Sequence, residues 1–185
     1  MKKYELTSNF KMYSDKKIFQ IRALVNLKNG VKVGELGGWI EKEENLSHIG
    51  DAWVSGNAQV SGNACVTDNA WVSDNACVTD NAWVRDNAWV SGDAWVTDNA
   101  HVAGDAHVAG NAWVSKIADL LQITGLGTVH RTTTVYRTKN GIEITRGCFC
   151  GNLEQFREQV VKTREGKVRD EYLKFAELIE IYFRL

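Results

Sequence analysis

A repeat of six residues limits what this chain can fold into more than any other feature. From Ile49 it reads IGDAWV, SGNAQV, SGNACV, TDNAWV, SDNACV, TDNAWV, RDNAWV, SGDAWV, TDNAHV, AGDAHV and AGNAWV, eleven hexads without an insertion. Each hexad carries Gly or Asp, then Asn or Asp, then Ala, a variable residue and Val. A strand sends alternate side chains to opposite sides, so Ala and Val share one side and the residue between them takes the other. Gly, Asn and Asp tolerate the left-handed backbone that a tight corner demands. Each hexad is therefore a short strand plus a corner. Helical solenoids need units of about 20 residues or more, so this period excludes them. What remains is a β-solenoid, with parallel strands of successive coils about 4.8 Å apart and Ala and Val filling a narrow interior.

The pattern resembles the hexapeptide-repeat left-handed β-helix family. The resemblance implies a left-handed, triangular coil of three hexads. Eleven hexads then give a little under four coils, or about five if residues 36–48 form an irregular first one. Variable residues 18 apart stack in columns. One face carries Trp53, Trp71, Trp89 and His107; the second carries Gln59, Cys77, Trp95 and Trp113; the third carries Cys65, Trp83 and His101. Six tryptophans thus project from the rod, each with roughly 150–250 Å² to bury. The largest apolar patch of a soluble monomer is about 300–600 Å², so all these faces are not expected to stay bare. Three covers compete: other copies of the chain, a C-terminal helix folded back along one face, or a ligand or partner gripped by the indoles.

Charge divides the chain into three parts. Residues 1–48, an N-terminal β cap, hold nine basic and six acidic residues; residues 49–116, the repeat, hold two and eight; residues 117–185 hold eleven and nine. An acidic rod between mildly basic ends lacks the basic stripe that a long nucleic acid requires. No apolar run reaches transmembrane length and the start lacks a signal-peptide core, which predicts a cytoplasmic protein that binds no membrane. Four cysteines with no four-ligand zinc spacing fit a reducing cytosol. Neither a metal nor a cofactor is expected. His101 and His107 stand six apart, hence on adjacent faces, and meet only across a subunit boundary. Stacked corner carboxylates, Asp68 over Asp86 and Asp80 over Asp98, are expected to be solvated rather than to hold calcium.

The ends read as caps for the solenoid's open strand edges. Strands are expected at Lys17–Leu24 and Val31–Ile40 around a turn at Lys28-Asn29-Gly30. After Lys116 a hairpin, residues 128–138 and 142–149, turns at Lys139-Asn140-Gly141. Asn152 and Gln155 form a capping box that opens a helix from Leu153 to about Thr163. A second helix, about Val168 to Phe183, is apolar on more than one side and needs more than one neighbour. Gly125 and Gly127, with His130 and Arg131 nearby, offer a possible anion-binding turn, though not a dinucleotide fingerprint. Cys148 has no base placed beside it by sequence.

The stretch LGGWIEKEENLS ahead of the GDAWV hexads, and the tail GLG, NGI and GCFCGNLEQF, resemble uncharacterised hexapeptide-repeat β-helix proteins of bacteriophages and prophages, whose bacterial relatives are labelled transferases by fold alone. That resemblance implies a homotrimer in the host cell cytosol, mainly β with a small α+β tail, and no established activity. The expected function is a non-catalytic phage accessory protein that sequesters or inhibits a host factor, a protein or a small nucleotide signal. The expected binding or interface residues are Trp53, Trp71, Trp83, Trp89, Trp95, Trp113, His101 and His107. One alternative is an acyltransferase using acyl-CoA at subunit interfaces, with His101 or His107 as general base. Another is a structural module of a virion. Fold analogy alone decides none of these.

Overall fold

The computed structural model describes residues 2–185. The hexads wind into a β-solenoid of about four turns. Its rungs are two-residue strands β4 to β14, at Trp53–Val54, Gln59–Val60, Cys65–Val66, Trp71–Val72, Cys77–Val78, Trp83–Val84, Trp89–Val90, Trp95–Val96, His101–Val102, His107–Val108 and Trp113–Val114. They form three parallel sheets, β4-β7-β10-β13, β5-β8-β11-β14 and β6-β9-β12. Residues 18 apart lie in register: Trp71 between Trp53 and Trp89, Trp95 between Cys77 and Trp113, and Trp83 between Cys65 and His101. Coil-to-coil bonds such as Trp71 N to Ala88 O (2.9 Å) and Ser73 N to Val90 O (2.9 Å) run the length of the rod.

Composition follows from this geometry. The Ala and Val of every hexad are buried. Ala leaves room for Val across a narrow interior, and Val is at home in a strand. The corners take positive φ, at Asp68, Asp74, Asp80, Asp86 and Asp98 and at glycines such as Gly56, Gly62, Gly92 and Gly104. Three of these corner carboxylates accept an amide from the next coil: Asp86 N to Asp68 (3.3 Å), Gly92 N to Asp74 (3.0 Å) and Gly104 N to Asp86 (3.0 Å). Gly50 shows why some corners need glycine, since a Cβ there would lie 2.2 Å from Asp68 O. Beside the corners run amide ladders, Asn57 to Asn75 to Asp93, Asn69 to Asn87 to Asp105 and Asn63 to Asn81 to Asn99.

The N-terminal region differs from the expected pair of strands. It comprises β1 (Tyr4–Tyr13), β2 (Lys16–Ala23) and β3 (Leu36–Ile40). Strand β1 hides from a periodicity search because its register with β2 shifts between Leu6 and Phe10 and most of its side chains are not buried. The strand expected from Val31 starts only at Leu36, because Gly34 turns the chain at φ +85°. The Leu27–Val31 turn is present, closed by Leu27 N to Val31 O (2.9 Å). Strand β3 lies parallel to β5, with Trp39 opposite Gln59, and Leu46 bridges Val66. Residues 36–46 thus form an irregular coil ahead of the hexads. Its corner is held by buried Asn45, which donates to Gly62 O and Ala64 O.

The tail is a four-stranded antiparallel sheet, where the sequence suggested a two-stranded hairpin, followed by the two expected helices. Its strands are β15 (Leu120–Ile123), β16 (Thr133–Thr138), β17 (Gly141–Arg146) and β18 (Phe149–Gly151), in that order across the sheet. Helices α1 (Leu153–Thr163) and α2 (Gly166–Phe183) follow. The Asn152 and Gln155 capping box is formed, with two 2.9 Å bonds. One face of the sheet seats on the last coil: Thr145 Oγ1 donates to His107 O (2.6 Å), and Tyr136 joins the solenoid core. The other face carries Val135 and Ile144 into a second core with Phe156, Tyr172, Phe175 and Ile179. The tail therefore plugs the end of the rod and does not fold back along a face. The inner faces of α1 and α2 are used up by their own sheet.

Candidate functional site

The outward columns are the candidate site, and the hexad positions them. Ala and Val are locked into the interior, so the residue between them must point away, on a rung fixed by bonds above and below. On one face the indole orientation is set as well. Trp71 Nε1 donates to Ser55 Oγ (3.1 Å) and Trp89 Nε1 to Ser73 Oγ (3.2 Å), each serine lying 16 residues earlier, on the preceding coil.

The rings stack along the rod. Trp89 lies 4.9 Å from His107 and Trp83 5.6 Å from His101, both nearly parallel. Trp95 and Trp113 stack at 5.2 Å and 9°. Each of the three faces thus ends in an aromatic pair near the C-terminal end. Trp83 and Trp89 remain about half exposed, at 51% and 48%, and Trp95 and Trp113 are 37% exposed. Against the Trp71 and Trp89 rings lies an apolar hollow of about 520 Å³, with Asn29, Ser73, Asn87 and Ala88 completing its wall.

Not every expected contact residue is free. Trp53 is fully buried and leaves the set of accessible side chains. It does point outward from its coil, but the N-terminal strands lie over it. Tyr4 meets its ring edge-on at 6.5 Å, and a Cβ on Gly37 would stand 2.7 Å from the indole. Gly37 occupies the place, 16 residues earlier, where Ser55 serves Trp71. It has no hydroxyl, and Trp53 Nε1 is buried without a partner. Trp71 is half-buried. Cys77, on the second face, is covered by the β1–β2 hairpin, whose Tyr13 hydroxyl bonds its Sγ at 2.9 Å. Burial pushes the Cys77 thiol above its ordinary value. Of the competing covers, the C-terminal helix folded back along a face is not the one present; within the chain the N-terminal strands supply it.

His101 and His107 sit in different sheets, each stacked on its own tryptophan. Among the described residues no three His, Cys, Asp or Glu side chains converge as metal ligands would. Burial holds His107 below the ordinary imidazole value. Its backbone amide donates to Thr134 Oγ1 (3.2 Å).

Gly125, Gly127, His130 and Arg131, which offered an anion-binding turn beside the simpler reading of a plain turn, do not converge on one site. Gly127 N donates to the Glu171 carboxylate (3.2 Å), which would repel an anion. His130 Nδ1 is engaged with Gly125 O at 3.0 Å. Only Arg131 faces a basic cavity, and its neighbours there are Arg146 and Arg164, from distant parts of the tail. No spacing in the sequence points to that grouping. Nor did it place Trp39, which continues the second column but lies 20 residues before Gln59 and so escapes the 18-residue rule. Lys11 covers Trp39 at 4.5 Å.

Fold and surface together define a β-solenoid with exposed aromatic columns on a capped rod. A family model, the YdcK beta solenoid repeat, matches residues 58–74, a stretch just short of one coil. No curated protein matches the chain. Among the described residues, no helix is long and apolar enough to cross a membrane.

Proposed function

We propose that this is a non-catalytic binding protein that works as a homotrimer of left-handed hexapeptide-repeat β-helices. In this reading it is a bacteriophage accessory protein that sequesters a host factor, a protein or a small nucleotide signal, in the host cytosol. The observation that carries it is the exposure of Trp83, Trp89, Trp95 and Trp113 on rigid rungs around a three-sided rod. Flat indole surface held at low entropic cost favours contact with another macromolecule.

The Trp83–His101 side of one copy is the natural partner for the Trp89–His107 side of the next. Two different faces joined head to tail close into a ring when the rotation per copy fits. The third side is partly occupied, with Lys139 5.3 Å from the Trp113 ring and the hairpin tip beside Trp95. The hollow against Trp71 and Trp89 then lies at a subunit boundary, where it would hold the captured ligand. The acidic corners argue against a long nucleic acid as that ligand.

Sedimentation velocity on Trp83→Ala and Trp89→Ala tests the reading. Each variant is expected to sediment as a folded single chain where the unaltered protein sediments as three. Unchanged sedimentation in both would reject it. One observation favours acyl transfer instead: half-buried His107, held below its ordinary value, lines a small cavity with Thr134, Thr145 and Arg146. A neutral imidazole there has the form a general base needs.

A further inference from the structure

Of the five arginines of the tail with no carboxylate partner within 4 Å among the described residues, three come together. They are Arg131, ahead of β16, Arg146, at the end of β17, and Arg164, just after α1. All three line one cavity of about 350 Å³, and no Asp or Glu lines it with them. Arg85, Arg137 and Arg157 are neutralised, by Asp86 (3.1 Å), Asp119 (3.8 Å) and Glu180 (2.7 Å), while the unpaired Arg169 and Arg184 stand outside the cavity. Grouping unpaired cations costs Coulomb energy, which an anionic ligand would recover.

Local geometry keeps their donors available. The Arg146 guanidinium stands over the Tyr172 ring at 4.9 Å, held by stacking rather than by an acceptor. Its Nε is buried without a hydrogen-bond partner, an unusual state for a charged donor. The C-terminal carbonyls of α1 would be natural acceptors nearby. Arg169, which does not line the cavity, takes two of them: Nε donates to Arg164 O (2.7 Å) and Nη2 to Val161 O (3.2 Å). Arg164 spends one weak donor, Nη1, on Thr163 O (3.3 Å). Gln159, on the facing turn of α1, adds a neutral side-chain amide to the wall.

We propose that this cavity binds the phosphate group of a small phosphorylated molecule. Guanidinium groups match phosphate oxygens in pairs, and several converging from different elements suit a compact, doubly charged anion. The volume is in the range of small-molecule sites, above what a bare ion needs. The site depends on neither the trimer nor the tryptophan columns.

Isothermal titration calorimetry of the full chain at low ionic strength, with inorganic pyrophosphate and ADP as probes, tests this. Both probes are expected to bind. Arg131→Gln and Arg164→Gln are each expected to weaken binding by about tenfold or more, from the loss of a charge-assisted pair. Arg157→Gln, outside the cavity, is expected to bind as the unaltered protein does. Arg146→Gln adds a third arm, but Arg131→Gln and Arg164→Gln carry the test if it fails to fold. Absence of binding by both probes to folded protein would overturn the proposal. So would binding that Arg131→Gln and Arg164→Gln leave unchanged.

Discussion

The pentapeptide Gly-Asp-Ala-Trp-Val occurs twice, at residues 50–54 and 92–96, and its two tryptophans meet opposite fates. Trp53 is fully buried, whereas Trp95 is 37% exposed. Both occupy the same position between an inward Ala and an inward Val, and both leave the coil in the same sense. The difference lies in what arrives from elsewhere. Tyr4 and the close backbone of Gly37 roof Trp53, while Trp95 has only Trp113 stacked beside it and the hairpin tip at its margin. The hexad sets direction; sequence far from the hexad sets cover.

The largest expected consequence is in stability. Trp53→Ser should cost about 3–5 kcal/mol, in line with emptying a large aromatic site in a core. Trp95→Ser should cost well under half of that, and chemical denaturation of the two variants measures the contrast. Equal losses would mean that the N-terminal roof contributes little. A second contrast concerns thiols. Cys77 is covered by the hairpin and burial raises its thiol, whereas Cys148 is exposed. Alkylation followed by peptide mass mapping should label Cys148 about 100-fold faster, because thiolate and access are both needed. Tyr13→Ala should narrow that gap by loosening the hairpin. A Cys77 that labels as fast as Cys148 in the unaltered protein would show the roof to be open.

The smallest effect is in pH dependence. Burial lowers His107 from its ordinary 6.5, so the folded protein binds that proton less readily than the unfolded chain. Its contribution to stability is then complete above pH 6.5 and is lost as pH falls through the depressed folded value. Imidazole proton NMR should show His107 titrating below 6.5, and His107→Gln should flatten the acid side of the stability profile. A midpoint at or above 6.5 would refute the burial argument.

How far the sequence reveals this molecule follows from the same comparison. The buried Ala and Val columns and the Asp or Gly corners are local consequences of a six-residue period and can be read from one hexad, whereas the 18-residue coil register rests on the family resemblance. The α1 capping box is equally local. Strand β1 was hidden because its bulge breaks the alternation that marks a strand. Strand β15 was hidden because Leu120–Ile123 is short and follows the last hexad directly. The roof over Trp53 and Cys77 pairs residues 49 and 64 positions apart, and no periodicity reports such a contact. The arginine cavity gathers side chains from a loop, a strand end and a helix end, which sequence order scatters over 33 positions.

The central claim is that the bare tryptophan columns are surfaces between copies of the chain. Native mass spectrometry of gently purified protein tests it most directly. The account predicts a species of three chain masses, with any further mass in multiples that match the three boundaries. A species of one chain mass across a range of concentrations would contradict it and leave the indoles without the partner assigned to them.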